Sequence, residues 1–163
     1  GVEMRAREVK VRVPTGVDDG QRIRVKGRGA AGANGGPSGD LYVVVSVKPH
    51  PLFGRNGNNL TVRLPLTFAE ATLGAEVKVP TLDDPVTVRI PPGTPSGKTL
   101  RVRGRGIPSS DSKASGDLLV TVDVQVPGEL TDEQRLAIEA LAEAFPDDPR
   151  AELMATHTRR SSD

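Results

Sequence analysis

Apolar and polar positions alternate with period two at the start of the chain. Val9, Val11 and Val13 are separated by Lys10 and Arg12, so the pattern predicts a strand with one buried face. Pro14–Gly20 contains Pro-Thr-Gly and Asp-Asp-Gly, residues that end a strand and turn the chain. Ile23 and Val25 then alternate with Arg22, Arg24 and Lys26 to give a second strand. A glycine-rich loop runs from Gly27 to Gly39, and Asp40 opens the apolar run Leu41–Val47. The β-branched density of that run predicts a strand buried along much of its length.

The pattern then returns. Val86-Thr87-Val88-Arg89-Ile90-Pro91-Pro92-Gly93 repeats Val9-Lys10-Val11-Arg12-Val13-Pro14-Thr15-Gly16 at an offset of 77 residues, and residues 9–47 match 86–124 at 18 of 39 positions without a gap. Gly27-Arg28-Gly29 returns as Gly104-Arg105-Gly106, and Ser38-Gly39-Asp40-Leu41 as Ser115-Gly116-Asp117-Leu118. Such self-similarity means two copies of one supersecondary unit. Before the second copy lie Leu60–Leu64, Thr67–Gly74 and Val77–Val79, read as strand, short helical turn and strand. Only eight residues precede Val9. The second unit therefore reads as whole and the first as lacking its opening half, as in a piece of a larger protein.

Beyond Pro127 the period changes. Thr131-Asp132-Glu133-Gln134 has the form of a capping box, and Ile138, Leu141, Ala142 and Phe145 follow at helical spacing until Pro146. The polar tail after Asp147 is expected to be mobile, Thr158–Asp163 most of all. The expected organisation is all-β: residues 1–48 as the remainder of a first β-sandwich-like domain, 49–127 as a complete second one, and 128–163 as a C-terminal helix and tail.

Composition narrows the chemistry. With 22 Lys and Arg against 21 Asp and Glu, the net charge of +1 supplies no field toward nucleic acid or an anionic membrane. Cysteine is absent, which removes disulfides, thiolate catalysis and Cys-ligated zinc from this stretch. His50 and His157 are the only histidines and have no companions for a metal site. His50, between Pro49 and Pro51, is read as a turn residue or as packing on Phe53. Asp40 and Asp117 each follow a glycine and open a strand, so a backbone hydrogen bond or salt bridge is favoured over catalysis. Arg24, Arg28, Arg101 and Arg105 could touch phosphate. Against that, single-strand binders stack bases on aromatics, and the chain has one Tyr, three Phe and no Trp. What remains is a set of apolar strands whose edges could dock an extended peptide, with the alternative that these faces are simply core.

The assembled strings resemble the C-terminal region of the DnaJ family, bacterial J-domain co-chaperones. The likeness rests on Val13–Arg24, on Gly39-Asp40-Leu41-Tyr42-Val43, and on His50, Phe53, Arg55, Gly57 and Leu60. Ala71-Thr72-Leu73-Gly74 with Val79-Pro80-Thr81-Leu82 continues it, as do Arg103-Gly104-Arg105-Gly106 and Gly116-Asp117-Leu118. It covers nearly the whole chain, to about residue 145. Asn59 departs from the family pattern, which commonly has an acid there, and this puts a salt bridge at that position in doubt.

The resemblance implies an interrupting zinc module that ends near Gly1. Zinc is thus expected in a segment outside this sequence, and no cofactor is expected within it. It also implies a cytoplasmic, non-enzymatic protein that holds non-native polypeptide for delivery to DnaK; composition leaves no nucleic-acid or membrane partner expected. The His-Pro-Asp signature that stimulates DnaK is absent, since His50 is followed by Pro51 and Leu52. Matching strands puts Val9 and Val43 on one wall of a first-domain client pocket whose other wall belongs to a segment outside this sequence. The repeat offset carries them to Val86 and Val120, with Leu60 and Val79 as further lining in the second domain. The capped helix resembles the family's dimerisation element, with Leu136, Ile138, Leu141 and Phe145 as candidate contacts. The alternative packing of that stripe on its own second domain stands beside it. A structural module without client binding is the competing class, and a nucleic-acid-binding β module the third. The bare Val9–Val13 edge is also expected to invite non-native strand pairing.

Overall fold

The computed structural model describes residues 8–32, 35–109 and 114–162, which leaves Gly1 outside the described residues. The chain divides into two compact units, residues 1–125 and 126–163.

The first unit is built from strands. β1 (Arg22–Val25) and β2 (Leu41–Val44) form an antiparallel pair. Four further strands make one sheet: β3 (Gly54–Asn56), β4 (Asn59–Leu66), β7 (Thr99–Val102) and β8 (Leu118–Val124). Their order is β3-β4-β8-β7, and the β4–β8 pairing is parallel. β5 (Ala75–Val79) and β6 (Val86–Ile90) pair antiparallel in a sheet of their own. Between β4 and β5 lies α1 (Phe68–Leu73), started by a capping box in which Thr67 and Glu70 exchange hydrogen bonds of 2.9 and 3.0 Å. Gly74 ends it with φ of 84°, and a side chain there would also crowd the Ile90 carbonyl and the Pro92 ring.

The core follows the alternation. Leu60, Val62, Leu64 and Leu66 from β4 point inward with Leu118, Val120 and Val122 from β8, and Val79, Val88 and Ile90 close the cluster from the smaller sheet. All of it belongs to the second copy and the segment before it.

Two expectations are corrected. Residues 9–13 form no strand, and no described backbone pairs with them. Their counterpart Val86–Ile90 is a strand because Ala75–Val79 lies against it; alternation alone supplies no hydrogen-bonding partner. The polar tail, read from its composition without a helix, carries one. Beyond α2 (Asp132–Ala144), Ala151–Ser162 forms a second helix, α3. Asp148 starts it, its carboxylate accepting from the Arg150 amide at 2.9 Å and its carbonyl from the Ala151 amide at 3.3 Å. Glu152 in the first turn and Arg159 and Arg160 in the last suit the helix dipole. The second unit is thus helical.

Candidate functional site: an open sheet edge on the first copy

The two copies fold their hairpins in the same register. Arg22 faces Val44 and Val25 faces Leu41; at the same offset Thr99 faces Thr121 and Val102 faces Leu118. The turn bonds are duplicated as well. The Gly20 amide donates to the Val45 carbonyl and the Gly97 amide to that of Val122, each at 2.7 Å. The Gly29 amide reaches the Gly39 carbonyl and the Gly106 amide that of Gly116, each at 2.8 Å.

Asp40 and Asp117 are a matched pair. Asp40 accepts from the Gly27 amide at 3.0 Å and the Arg24 guanidinium at 2.6 Å. Asp117 accepts from the Gly104 amide at 2.9 Å and the Arg101 guanidinium at 2.6 Å. In each, the backbone amide first and the arginine second hold the carboxyl below its ordinary range. Both oxygens are occupied in staying the glycine loop. This is structural chemistry.

What differs is the cover. Leu118, Val120 and Val122 are fully buried, whereas Leu41, Val43 and Val45 are half-buried and Tyr42, Val44 and Val47 exposed, so the run Leu41–Val47, expected to be buried along much of its length, is not. β8 has β7 on one side and β4 on the other; β2 has only β1 among the described residues. In the second copy, the turn before β4 is gripped by the hairpin. The Ile107 amide donates to the Asn58 carbonyl, the Leu60 amide to the Asp117 carbonyl, and the Asp117 amide to Asn59 Oδ1, at 2.8, 2.9 and 2.8 Å. Asn59 therefore accepts a hydrogen bond where an acid was expected. A Cβ on Gly116 would overlap the Asn58 carbonyl, whereas one on Gly39 would have only the Ala30 carbonyl near it, at 3.8 Å. The first copy has the same slot with no turn in it among the described residues. On its outer face Tyr42 and Val44 are exposed, Tyr42 lying under the Arg22 guanidinium at 4.6 Å.

The sequence-derived site residues fall into three groups. Leu60, Val79 and Val120 are gathered in one core with Val86 packed beside them. Val79 and Val120 are wholly enclosed, so as they stand they present no surface to a ligand. Val9 and Val43 are half-buried and outside that cluster. On α2, Ile138 and Leu141 lie one turn apart with Phe145 a further turn on at the C-cap, while Leu136 projects from another side. Leu136, Ile138 and Phe145 are exposed.

Some residues that shape this region were not singled out as site residues. His50 Nδ1 accepts from the Leu52 and Phe53 amides, and its ring lies 4.9 Å from that of Phe53. Arg55 donates to the carbonyls of Gly16, Val17 and Gly57, each at 2.8 Å, and pairs with Asp18 at 2.7 Å, tying the first copy to the second. Ile107 occupies the position of Ala30 in the repeat. That small-to-large exchange between copies was the available signal.

The described residues thus form a β-rich repeat with one enclosed and one less enclosed copy, and they hold no cluster of three or more metal-ligating side chains. Residues 2–127 match the model described as DnaJ C terminal domain, and the chain belongs to that family. It is 59% identical over 150 residues to a protein named Chaperone protein DnaJ 1 from Streptomyces coelicolor, covering 91% of this chain and 37% of the relative. Chaperone protein DnaJ 2 from Cutibacterium acnes is 57% identical over 141 residues, covering 86% and 37%. Chaperone protein DnaJ 2 from Nocardia farcinica is 54% identical over 154 residues, covering 93% and 40%. The chain thus spans well under half the length of these relatives. No helix among the described residues is long and apolar enough to cross a membrane.

Proposed function

We propose that this chain is the client-binding region of a cytoplasmic DnaJ-type co-chaperone, which holds non-native polypeptide for delivery to DnaK. The observation that carries the reading is the β2 edge. The same hairpin that β4 closes in the second copy has only β1 beside β2 in the first among the described residues, and Val43 is half-buried there. A client strand laid along that edge gains backbone hydrogen bonds, which are indifferent to sequence, and buries apolar side chains near Val9 and Val43. Leu60, Val79, Val86 and Val120 would serve a second-copy pocket only through an opening of the core. Residues 1–48 are assigned to client capture, 49–127 to the supporting domain, and 128–163 to dimerisation through Leu136, Ile138, Leu141 and Phe145. Equilibrium sedimentation checks the last assignment: a chain that stays monomeric at high concentration ends it.

The function is tested by aggregation of a chemically unfolded reporter. The chain should suppress light scattering in proportion to its concentration. Val43→Asp should lose most of that effect, and the same change at exposed Val44 should lose less. A chain without suppression is a scaffold only, and the reading fails.

A further inference from the structure

A cavity of about 460 Å³ lies where the first copy meets the second, lined by Val47, Pro49, Phe53, Leu60, Leu82 and Ile107 among others. That is within the usual range for ligand sites and large enough for a bulky aliphatic or aromatic side chain. Most of the polar groups around it already have partners. Asp19 accepts from the Val47 amide at 2.9 Å, His50 Nδ1 from two amides, and Arg55 is spent on three carbonyls and Asp18. An occupant therefore meets few unfilled hydrogen-bonding groups and gains chiefly by burying apolar surface.

The cavity also adjoins a sheet edge. Gly54 and Arg55 of β3 are part of its lining, and β3 is the outermost strand of the four-stranded sheet, paired among the described residues with β4 alone. An apolar hole beside the outer edge of a sheet is the arrangement that takes an extended peptide, with backbone on the edge and one side chain in the hole. We propose that this junction is a second polypeptide site, distinct from the β2 edge. It takes a strand that pairs with the outer edge of β3 and inserts one Leu-sized or Phe-sized side chain between Phe53, Leu82 and Ile107. The inference rests on the client-binding reading and adds a site to it. Arg55, which fastens the first copy beside β3, keeps both walls of the cavity in place.

The experiment is a titration of isotopically labelled chain with the peptide Gly-Ser-Thr-Ser-Leu-Ser-Thr-Ser-Gly at millimolar concentration. Two controls accompany it: the same peptide with serine for leucine, and one N-methylated on both sides of the leucine. Shifts should cluster at Val47, Phe53, Leu60, Leu82 and Ile107. Affinity should fall at least tenfold with serine and several-fold with N-methylation. Leu82 is 48% exposed, so Leu82→Asp should weaken binding about tenfold while leaving the urea midpoint nearly unchanged. Equal binding of the serine peptide overturns the proposal. An unaffected N-methylated peptide overturns it too, since a group docking without strand pairing would behave that way. Shifts confined to the β2 edge, with reporter suppression intact in Leu82→Asp, remove this site and leave the client-binding reading standing. No binding anywhere together with no suppression removes both.

Discussion

The hairpin β1–β2 and the hairpin β7–β8 have the same register, the same glycine turns and the same aspartate–arginine pair, yet one is half-exposed and the other holds the core. Local chemistry fixes the hairpin: period-two alternation, glycines at the turns, and a carboxylate that accepts a loop amide. Burial is a separate matter, decided by which strands lie alongside. β4 and the β5–β6 pair enclose Leu118, Val120 and Val122; Leu41, Val43 and Val45 have no equivalent neighbours among the described residues. Among the described residues, one sequence unit thus serves as core in one place and as an edge in the other. The functional proposal rests on that difference.

The largest effect should appear when the matched leucines are truncated. Leu118→Ala removes a fully buried side chain from the core and should cost about 3 kcal/mol, whereas Leu41→Ala, at a half-buried site, should cost about 1 kcal/mol or less. Urea denaturation of the two variants measures both. Equal losses would mean that the first copy is as well enclosed as the second.

A smaller effect separates the matched glycines. Gly116→Ala pushes a methyl group into the Asn58 carbonyl and should cost about 2 kcal/mol through displacement of the turn before β4. Gly39→Ala has room and should change stability by about 0.5 kcal/mol or less. The same denaturation curves read it, and a large effect at Gly39 would show that something fills the first-copy slot.

The smallest effect should be equal in the two copies. Asp40 and Asp117 titrate below their ordinary 3.8 in the folded protein. Their contribution to stability is therefore complete above the unfolded value and is lost as pH falls through the folded value. Asp40→Asn and Asp117→Asn should each flatten the loss of stability below about pH 4, and by similar amounts. Stability measured from pH 5 to pH 2 checks this; a strongly unequal response would break the equivalence of the hairpins.

Much of this was legible in the sequence, and what was not has a physical cause. The offset of 77 residues located β1, β2, β7 and β8 in their correct correspondence, and Thr131 with Gln134 marked the start of α2. Alternation at Val9–Val13 could not report that no strand lies beside it among the described residues, because pairing depends on distant residues. Nor could apolar character distinguish Val120, sealed in the core, from Val43 at an open edge. Both sit at the same place in the repeat, and what separates them is that β4 and the β5–β6 pair lie against Val120. The α3 helix was missed because its polar composition resembles a tail, although Asp148 and Pro149 mark its start. The junction cavity draws on residues from 19 to 107, a constellation with no local signature.

Backbone hydrogen exchange of the chain, with and without an unfolded client, tests the central claim most directly. The account predicts that amides of residues 41–45 exchange readily alone and slow at least several-fold with client, while those of 118–124 are slow under both conditions. Residues 41–45 protected as strongly as 118–124 without client, or unchanged when client is added, would contradict it.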